Sequence, residues 1–208
     1  MRGTQTLRLI AWGVALATVA VVVGGCSSGT TMQNVWKDPA YTAGPMKKAI
    51  VLAIVPTSGA RRTLEDAFAA ALVAQGVPAT PSYKLFPGDT IDKDAAKAQL
   101  LQEGYDAVIV SKATGKEQQT TYTGGTTYWG GYYGGWGGAY STGTTMTSEY
   151  VTFENTIWDP NGEGKLVWAG NTETLNPESG TKFAASLVGR IMPELTKAGL
   201  VPAATPAK

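Results

Sequence analysis

The sequence of 208 residues contains no histidine. Histidine is the side chain that titrates closest to neutral pH, the usual base in Ser-His-Asp and Cys-His nucleophilic sites, and a common zinc ligand. Its absence excludes those triads and makes a conventional zinc centre unexpected. Carboxylates, lysines, tyrosines and hydroxyls remain, and nothing in the sequence predicts a metal or a cofactor.

Cysteine and excess charge are also scarce. Cys26 is the single cysteine, so no disulfide can form within the chain and the fold must be held by its own core. The chain carries 17 basic and 16 acidic residues, a formal net charge of +1. A near-neutral balance argues against nucleic acid as a partner, because neutralising phosphates requires a basic surface.

The N-terminal residues have the layout of a signal peptide. Arg2 and Arg8 precede an uncharged, mostly apolar run over 9–23, and two small residues then lead into Cys26. The run is shorter than the roughly 20 residues of a spanning helix. An uncleaved anchor, or a secretory leader followed by an incidental cysteine, remains the alternative.

The ending Val23-Gly24-Gly25-Cys26 resembles the lipobox of bacterial lipoproteins. The resemblance implies that residues 1–25 are removed and that fatty acid such as palmitate is joined to Cys26. Stable attachment to a membrane requires more than one acyl chain. By resemblance to lipoproteins of bacteria with two membranes, Ser27 in place of aspartate implies the outer membrane, inner leaflet, facing the periplasm.

Periodicity predicts one α/β (α+β) domain over 46–198, with βαβαβ order and a partly parallel sheet, in two or three layers. The apolar run 49–55 predicts a central strand with both faces buried. Further strands are predicted over 77–83, at an edge because of its two prolines, and over 106–111. Helices are predicted over 60–75 and over 91–103, the latter with Ala95, Ala96, Leu100 and Leu101 inward.

The second half predicts a long antiparallel hairpin and a C-terminal helix. Strands over 144–158 and 165–174 flank the turn sequence Asp159–Gly164. Placing the turn centre near Gly162 puts Glu154 opposite Gly170. A helix over 179–198 contains Pro193, which is expected to kink or break its last turns.

The flanks of the domain are predicted to be irregular. Residues 26–45 form the lipidated cysteine with a tether and extended arm, of which Ser27 to about Asn34 lifts the domain off the membrane. Trp36 and Tyr41 are expected to pack onto the domain. Residues 199–208 are predicted to be a flexible tail.

An insert over 115–143 is the unusual segment. Between Tyr122 and Tyr140, eight of nineteen residues are glycine and seven are tyrosine or tryptophan. Such rings bury much area at low rotamer cost, which suits a ligand or partner; a low-complexity loop resting on the sheet or bilayer is the alternative. The candidate contact residues are Tyr128, Trp129, Tyr132, Tyr133 and Trp136.

Two weaker candidates lie on the body. Ser58, Gly59, Arg61 and Arg62 open the first helix after a strand, where backbone N–H groups and guanidinium groups favour an anion. Pairing of the arginines with Glu65 and Asp66 is the alternative.

The acidic residues Glu149, Glu154 and Glu173 on the hairpin suggest paired glycosidase carboxylates. The predicted register brings no two of them together, so no catalytic residue is predicted.

The mature chain resembles a family of uncharacterised bacterial lipoproteins of the outer-membrane type. The stretches that carry the resemblance, besides Cys26 and the glycine and aromatic insert, are Val35–Pro39, Arg61–Phe68, Gly76–Tyr83, Tyr105–Val110 and Gly164–Gly170. In plan the chain is also similar to the curli-secretion lipoprotein and the N-terminal domain of TolB. Similarity of fold does not carry function.

The sequence therefore predicts a lipid-anchored, non-enzymatic binding or assembly module of the cell envelope. Its partners would be the membrane, through the lipid on Cys26, and an envelope protein. A peptidoglycan-binding protein that uses the aromatic insert is the alternative, and a carboxylate-dependent hydrolase ranks last.

Overall fold

A computed structural model describes residues 29–87, 93–123, 144–161 and 163–203. Six strands form one mixed sheet in the order β1-β6-β5-β4-β2-β3. The strands are β1 (Thr30–Lys37), β2 (Ala49–Ile54), β3 (Ala79–Pro81), β4 (Ala107–Thr123), β5 (Thr144–Asp159) and β6 (Lys165–Leu175). The helices are α1 (Ser58–Ala74), the single turn α2 (Ser82–Leu85), α3 (Lys93–Gln102) and α4 (Gly180–Lys197). The predicted α+β fold is confirmed.

Strand β2 is the parallel centre of the sheet. It pairs in parallel with β3 on one side and with β4 on the other, while the remaining pairs are antiparallel. Ala49 and Val51 pack in the main core, whereas Ile50 packs with Leu100 of α3 on the opposite face. Both faces of β2 are therefore covered, as its continuous apolar run predicted, and this half of the sheet has three layers.

The main core lies between the sheet and the helices α1 and α4. Leu64, Phe68 and Leu72 follow helical spacing along α1 and are buried. The buried stripe of α4 is Ala184, Leu187, Val188, Ile191, Met192 and Leu195. On α3, Leu100 is buried as expected, but Ala95 and Leu101 are exposed.

A bulge in β6 shapes the core under α4. Ile157 pairs with Trp168 and Trp158 with Leu166, so Val167 is an extra residue and both Val167 and Trp168 reach the core. A Cβ on Gly170 would lie 2.5 Å from the Trp168 indole, so the ring can lie flat only over glycine.

The same bulge shifts the predicted register of the hairpin by one residue. Glu154 lies opposite Asn171, and Gly170 lies opposite Asn155. The prediction that Glu154 faces Gly170 was wrong because counting from the turn takes no account of the extra residue in β6.

The predicted tether and arm differ most from the structure. Thr30–Lys37 form edge strand β1, antiparallel to β6. Tyr41 packs against the core as expected, but Trp36 is 47% exposed, so its predicted packing was wrong.

Other boundaries also move. Strand β4 runs on to Thr123, so residues 115–123 of the predicted insert are strand. Leu200 and Val201 are buried in the core, so the predicted tail begins later. Helix α4 continues past Pro193 to Lys197 and is not broken there.

Across the described ranges, no helix is both long and apolar enough to cross a membrane. The predicted signal peptide at 1–25, Cys26 and Ser27 lie outside these ranges.

Candidate binding site

Near one end of the sheet, four adjacent strands contribute one residue each to a row of paired residues. Thr30 of β1 pairs with Thr174 of β6, Thr174 with Val151 of β5, and Val151 with Lys116 of β4. Strand β1 therefore begins at the end of the sheet towards which β4 runs and from which β5 comes back. This end, which also holds the carboxyl end of β2, is called the ribbon end below.

Past this row, β4 and β5 continue together as a ribbon. The backbone of Asn176, at a φ of +47°, donates to the Glu149 carbonyl at 2.7 Å, and its side chain accepts from the Glu149 N–H at 2.8 Å. Residues Gln119–Thr123 then pair with Thr144–Ser148 alone; no other strand in the described ranges joins them. We call these two segments the ribbon.

A groove of about 510 Å³ opens where the ribbon joins the body. Its walls come from the end of β2, the starts of α1 and α4, and the bases of β4 and β5. The lining residues are Val55, Pro56, Ala60, Thr63, Leu64, Ala113, Thr114, Gly115, Lys116, Val151, Phe153, Pro177, Glu178, Gly180, Phe183 and Ala184. Its volume lies within the usual range of ligand pockets.

The position of the groove follows from the strand order. From β2 the chain crosses to the parallel strand β3 on one side, and it then crosses back to the parallel strand β4 on the other side of β2. In open α/β sheets such a reversal leaves a crevice at the carboxyl ends of the strands, and ligands bind there. The groove is therefore the candidate binding site of the domain.

The floor of the groove is apolar and aromatic. The rings of Phe153 and Phe183 lie 5.4 Å apart and are inclined at 47°, a tilted packing that leaves Phe183 half-buried at the surface. The threonine hydroxyls of the lining already donate hydrogen bonds, Thr63 to the Gly59 carbonyl and Thr114 to Thr152, so the groove suits hydrocarbon or apolar side chains better than a sugar or a phosphate.

Charged pairs lie at the rim of the groove. Lys116 Nζ lies 3.0 Å from Glu149 Oε2, and hydrogen bonding to Lys116 holds the pKa of Glu149 below its usual value. Lys182 Nζ lies 2.6 Å from Glu178 Oε2, and this hydrogen bond raises the pKa of Lys182. The rim thus carries two ion pairs around an apolar floor.

The predicted anion candidates lie at the start of α1, and both of their arginines have partners within the domain. Thr57 caps the helix by accepting from the Ala60 N–H at 3.2 Å. Arg61 Nε donates to Glu65 Oε1 at 2.9 Å, which is the alternative stated from sequence, and Arg62 lies 5.4 Å from the Tyr83 ring centre. Ser58 and Arg61 line a shallow polar groove, and Gly59 lies between them in sequence.

Sequence reasoning missed the buried carboxylate that joins these elements. Glu65 is fully buried, and its Oε1 accepts from the Ala53 N–H at 3.0 Å and the Ser82 hydroxyl at 2.8 Å, besides Arg61. Its Oε2 accepts from the Tyr83 N–H at 3.0 Å. Glu65 therefore ties α1 to β2 and to α2. The i,i+4 spacing of Arg61 and Glu65 was the available signal.

In the structure no two of the three hairpin carboxylates lie directly opposite each other. Glu154 lies opposite Asn171, Glu173 opposite Thr152, and Glu149 beside Lys116. Within the described ranges, no group of three or more potential metal ligands is present. The aromatic candidates Tyr128, Trp129, Tyr132, Tyr133 and Trp136 lie outside these ranges.

Comparison with known proteins identifies no family. No protein-family model matches the chain, and no curated protein matches it. Among solved structures, the chain is similar to the PelC dodecamer from Paraburkholderia phytofirmans, with 16% identity and a TM-score of 0.46. That match covers 82% of this chain and 98% of PelC; a variant of the same protein in another crystal form matches with the same identity and TM-score.

Proposed function

We propose that this protein is a lipid-anchored protein of the cell envelope, whose α/β domain is a non-enzymatic binding module facing the periplasm from the outer membrane. One observation carries the proposal. The apolar groove opens at the ribbon end, the same end at which the described chain begins, three residues after the lipobox cysteine.

The position of the first strand supports anchoring close to the membrane. Gly29 accepts from the Leu175 N–H at 3.4 Å, so the chain is fixed to the sheet almost at once after Cys26. Three residues lie between Cys26 and Thr30, so the four residue steps reach about 14 Å at most. A domain held in this way keeps its groove within a short distance of the bilayer.

The partner that the groove suits is a protein with apolar side chains. The groove offers hydrocarbon surface from Phe153, Phe183 and Val151. The charged side chains at its rim are paired with each other in two ion pairs. Interfaces of this kind have an apolar centre and a polar edge. A bound segment would gain mainly from apolar area removed from water, at roughly 25 cal/mol per Å².

Labelling with radioactive palmitate tests the anchor. The wild-type protein is expected to take up label and to fractionate with outer membranes. Cys26→Ala is expected to take up none, and label retained by that variant would contradict the proposal.

A photocrosslinking amino acid at Phe183 tests the groove in intact cells. The control is the same probe at Val73, which is 57% exposed near the end of α1, far from the groove. The expected result is one discrete protein adduct at position 183 that is absent at position 73. Equal adducts at both positions, or adducts with peptidoglycan alone, would overturn the assignment of the groove.

A further inference from the structure

We propose that the ribbon is a membrane-contacting element, which rests on or enters the headgroup layer of the bilayer that holds the anchor. This inference rests on the proposed function, since it takes Cys26 as the point of attachment. It adds a second contact with the membrane, at the lipid surface, to the covalent attachment through Cys26.

The inference depends on comparing two lengths, that of the segment from Cys26 to Thr30 and that of β5 beyond the row that contains Thr30. The segment from Cys26 to Thr30 spans about 14 Å when fully extended. From the row that contains Thr30, β5 continues outward from Val151 to Thr144. At about 3.4 Å per residue this extension is about 24 Å long. Measured from the row that contains Thr30, the outer end of the ribbon at Thr144 therefore lies farther out than the tether can reach.

The other end of the body cannot face the bilayer instead. From Val151, β5 runs about 27 Å in the opposite direction to Asp159, at the strand rise of about 3.4 Å per residue. A tether of about 14 Å attached at Thr30 is too short to bring that end to the membrane. Orientations remain in which the ribbon points into the bilayer surface or lies along it.

The composition of the ribbon suits such a position. None of its residues is charged, and most are threonine or serine. Tyr122 is 62% exposed and Met146 is 64% exposed, and their register places them on opposite faces. Tyrosine is enriched at membrane interfaces, where the ring lies among headgroups and the hydroxyl stays in water. The first charges come at the base of the ribbon, Glu117 on β4 and Glu149 on β5, and Glu149 forms an ion pair with Lys116.

Pairing within the ribbon also limits the cost of contact with lipid. Each strand is hydrogen-bonded along its inner edge, and the short outer edges can bond to headgroups and interfacial water. In plain water a two-stranded ribbon of this kind is marginal, so a surface that supports it explains its length.

Depth-dependent quenching tests the inference in the acylated protein. When Cys26 carries lipid, a second cysteine is the only free thiol and can be labelled with an environment-sensitive dye. The variants are Tyr122→Cys, Met146→Cys and the control Val73→Cys, whose exposed site is at the opposite end. Vesicles of phosphatidylethanolamine and phosphatidylglycerol carry nitroxide on the lipid headgroup.

The expected result is loss of most fluorescence at position 122 or 146, and none above background at position 73. Quenching at both positions means that the ribbon enters the headgroup layer, and quenching at one means that it lies flat. If all three variants float with the vesicles but 122 and 146 behave as 73, the inference is overturned while the anchor stands. If none floats with the vesicles, the proposed function fails and the inference falls with it.

Discussion

The body of the domain and its ribbon are built on opposite principles. In the body, β2 is buried on both faces, and Trp168, Phe68 and Leu187 are almost completely enclosed. In the ribbon the same sheet continues with two strands and exposed side chains such as Tyr122 and Met146. The body therefore provides the stability, and the ribbon adds little to it. A segment kept without a stabilising role is where contact with other molecules is expected.

The largest loss of stability is expected when Trp168, in the core of the body, is replaced. The substitution Trp168→Ala removes a 1% exposed indole that lies over Gly170 and leaves a cavity. The expected loss in free energy of unfolding is about 3–5 kcal/mol. Trp36→Ala, at a 47% exposed position on β1, is the control and is expected to cost less than about 1 kcal/mol. Urea denaturation measures both, and equal losses would contradict the described core.

The next effect concerns the buried carboxylate. Glu65→Gln removes the charge that Arg61 faces and replaces an acceptor of the Tyr83 N–H by a donor. The expected loss is about 1.5–3 kcal/mol, as for hydrogen bonds to a charged group. Glu178→Gln alters an exposed ion pair with Lys182 and is expected to cost at most about 1 kcal/mol. Thermal unfolding of the two variants under the same conditions makes the comparison; a larger loss for Glu178→Gln would contradict it.

A smaller effect is expected at acid pH. Asp38 is buried, and its hydrogen bond to Lys165, at 2.5 Å from Oδ2, lowers its pKa from the ordinary 3.8. A lowered carboxyl pKa gives stability that is present above pH 3.8 and is lost as the pH falls through the folded-state pKa. Asp38→Asn should therefore flatten the acid side of a plot of melting temperature against pH. An unchanged acid slope would contradict this role.

The smallest effect on stability is expected in the ribbon. The double variant Tyr122→Ser with Met146→Ser alters two side chains that are more than 60% exposed. Its free energy of unfolding in buffer should stay within about 0.5 kcal/mol of wild type. In the anchored protein the same variant should make the ribbon more accessible to added protease. A large loss of stability in buffer would show that the ribbon is part of the core.

Sequence patterns predicted the body well because its elements carry their own signal. Strand β2 is a continuous apolar run, and α1 and α4 place Phe68 and Leu187 on regular stripes. The edge position of β3 followed from its prolines and is confirmed. Burial imposes these patterns, so buried elements can be read from one sequence.

The elements that were missed depend on their neighbours. Strand β1 is mostly exposed and has no regular apolar alternation, and it is a strand only because β6 pairs with it. The extension of β4 past Lys116 has no apolar alternation, and β5 alone holds it. Neither has a buried face to impose a period of two.

The groove could not be predicted for a related reason. Its walls come from five elements that are distant in sequence, from Val55 to Phe183, and none of the segments has an unusual composition. Only the strand order brings them together. The bulge at Val167, which shifted the register of the hairpin, likewise has no local sequence signal.

Hydrogen–deuterium exchange on the acylated protein in lipid nanodiscs tests most directly whether the ribbon end faces the membrane. The reference is the chain that begins at Ser27, without lipid, in buffer. Amides of 119–123 and 144–148 are predicted to exchange more slowly in the nanodisc, while those of β2 and α4 exchange at the same rate in both. Identical exchange of the ribbon in the two states, with the protein still attached to the nanodisc, would contradict the account.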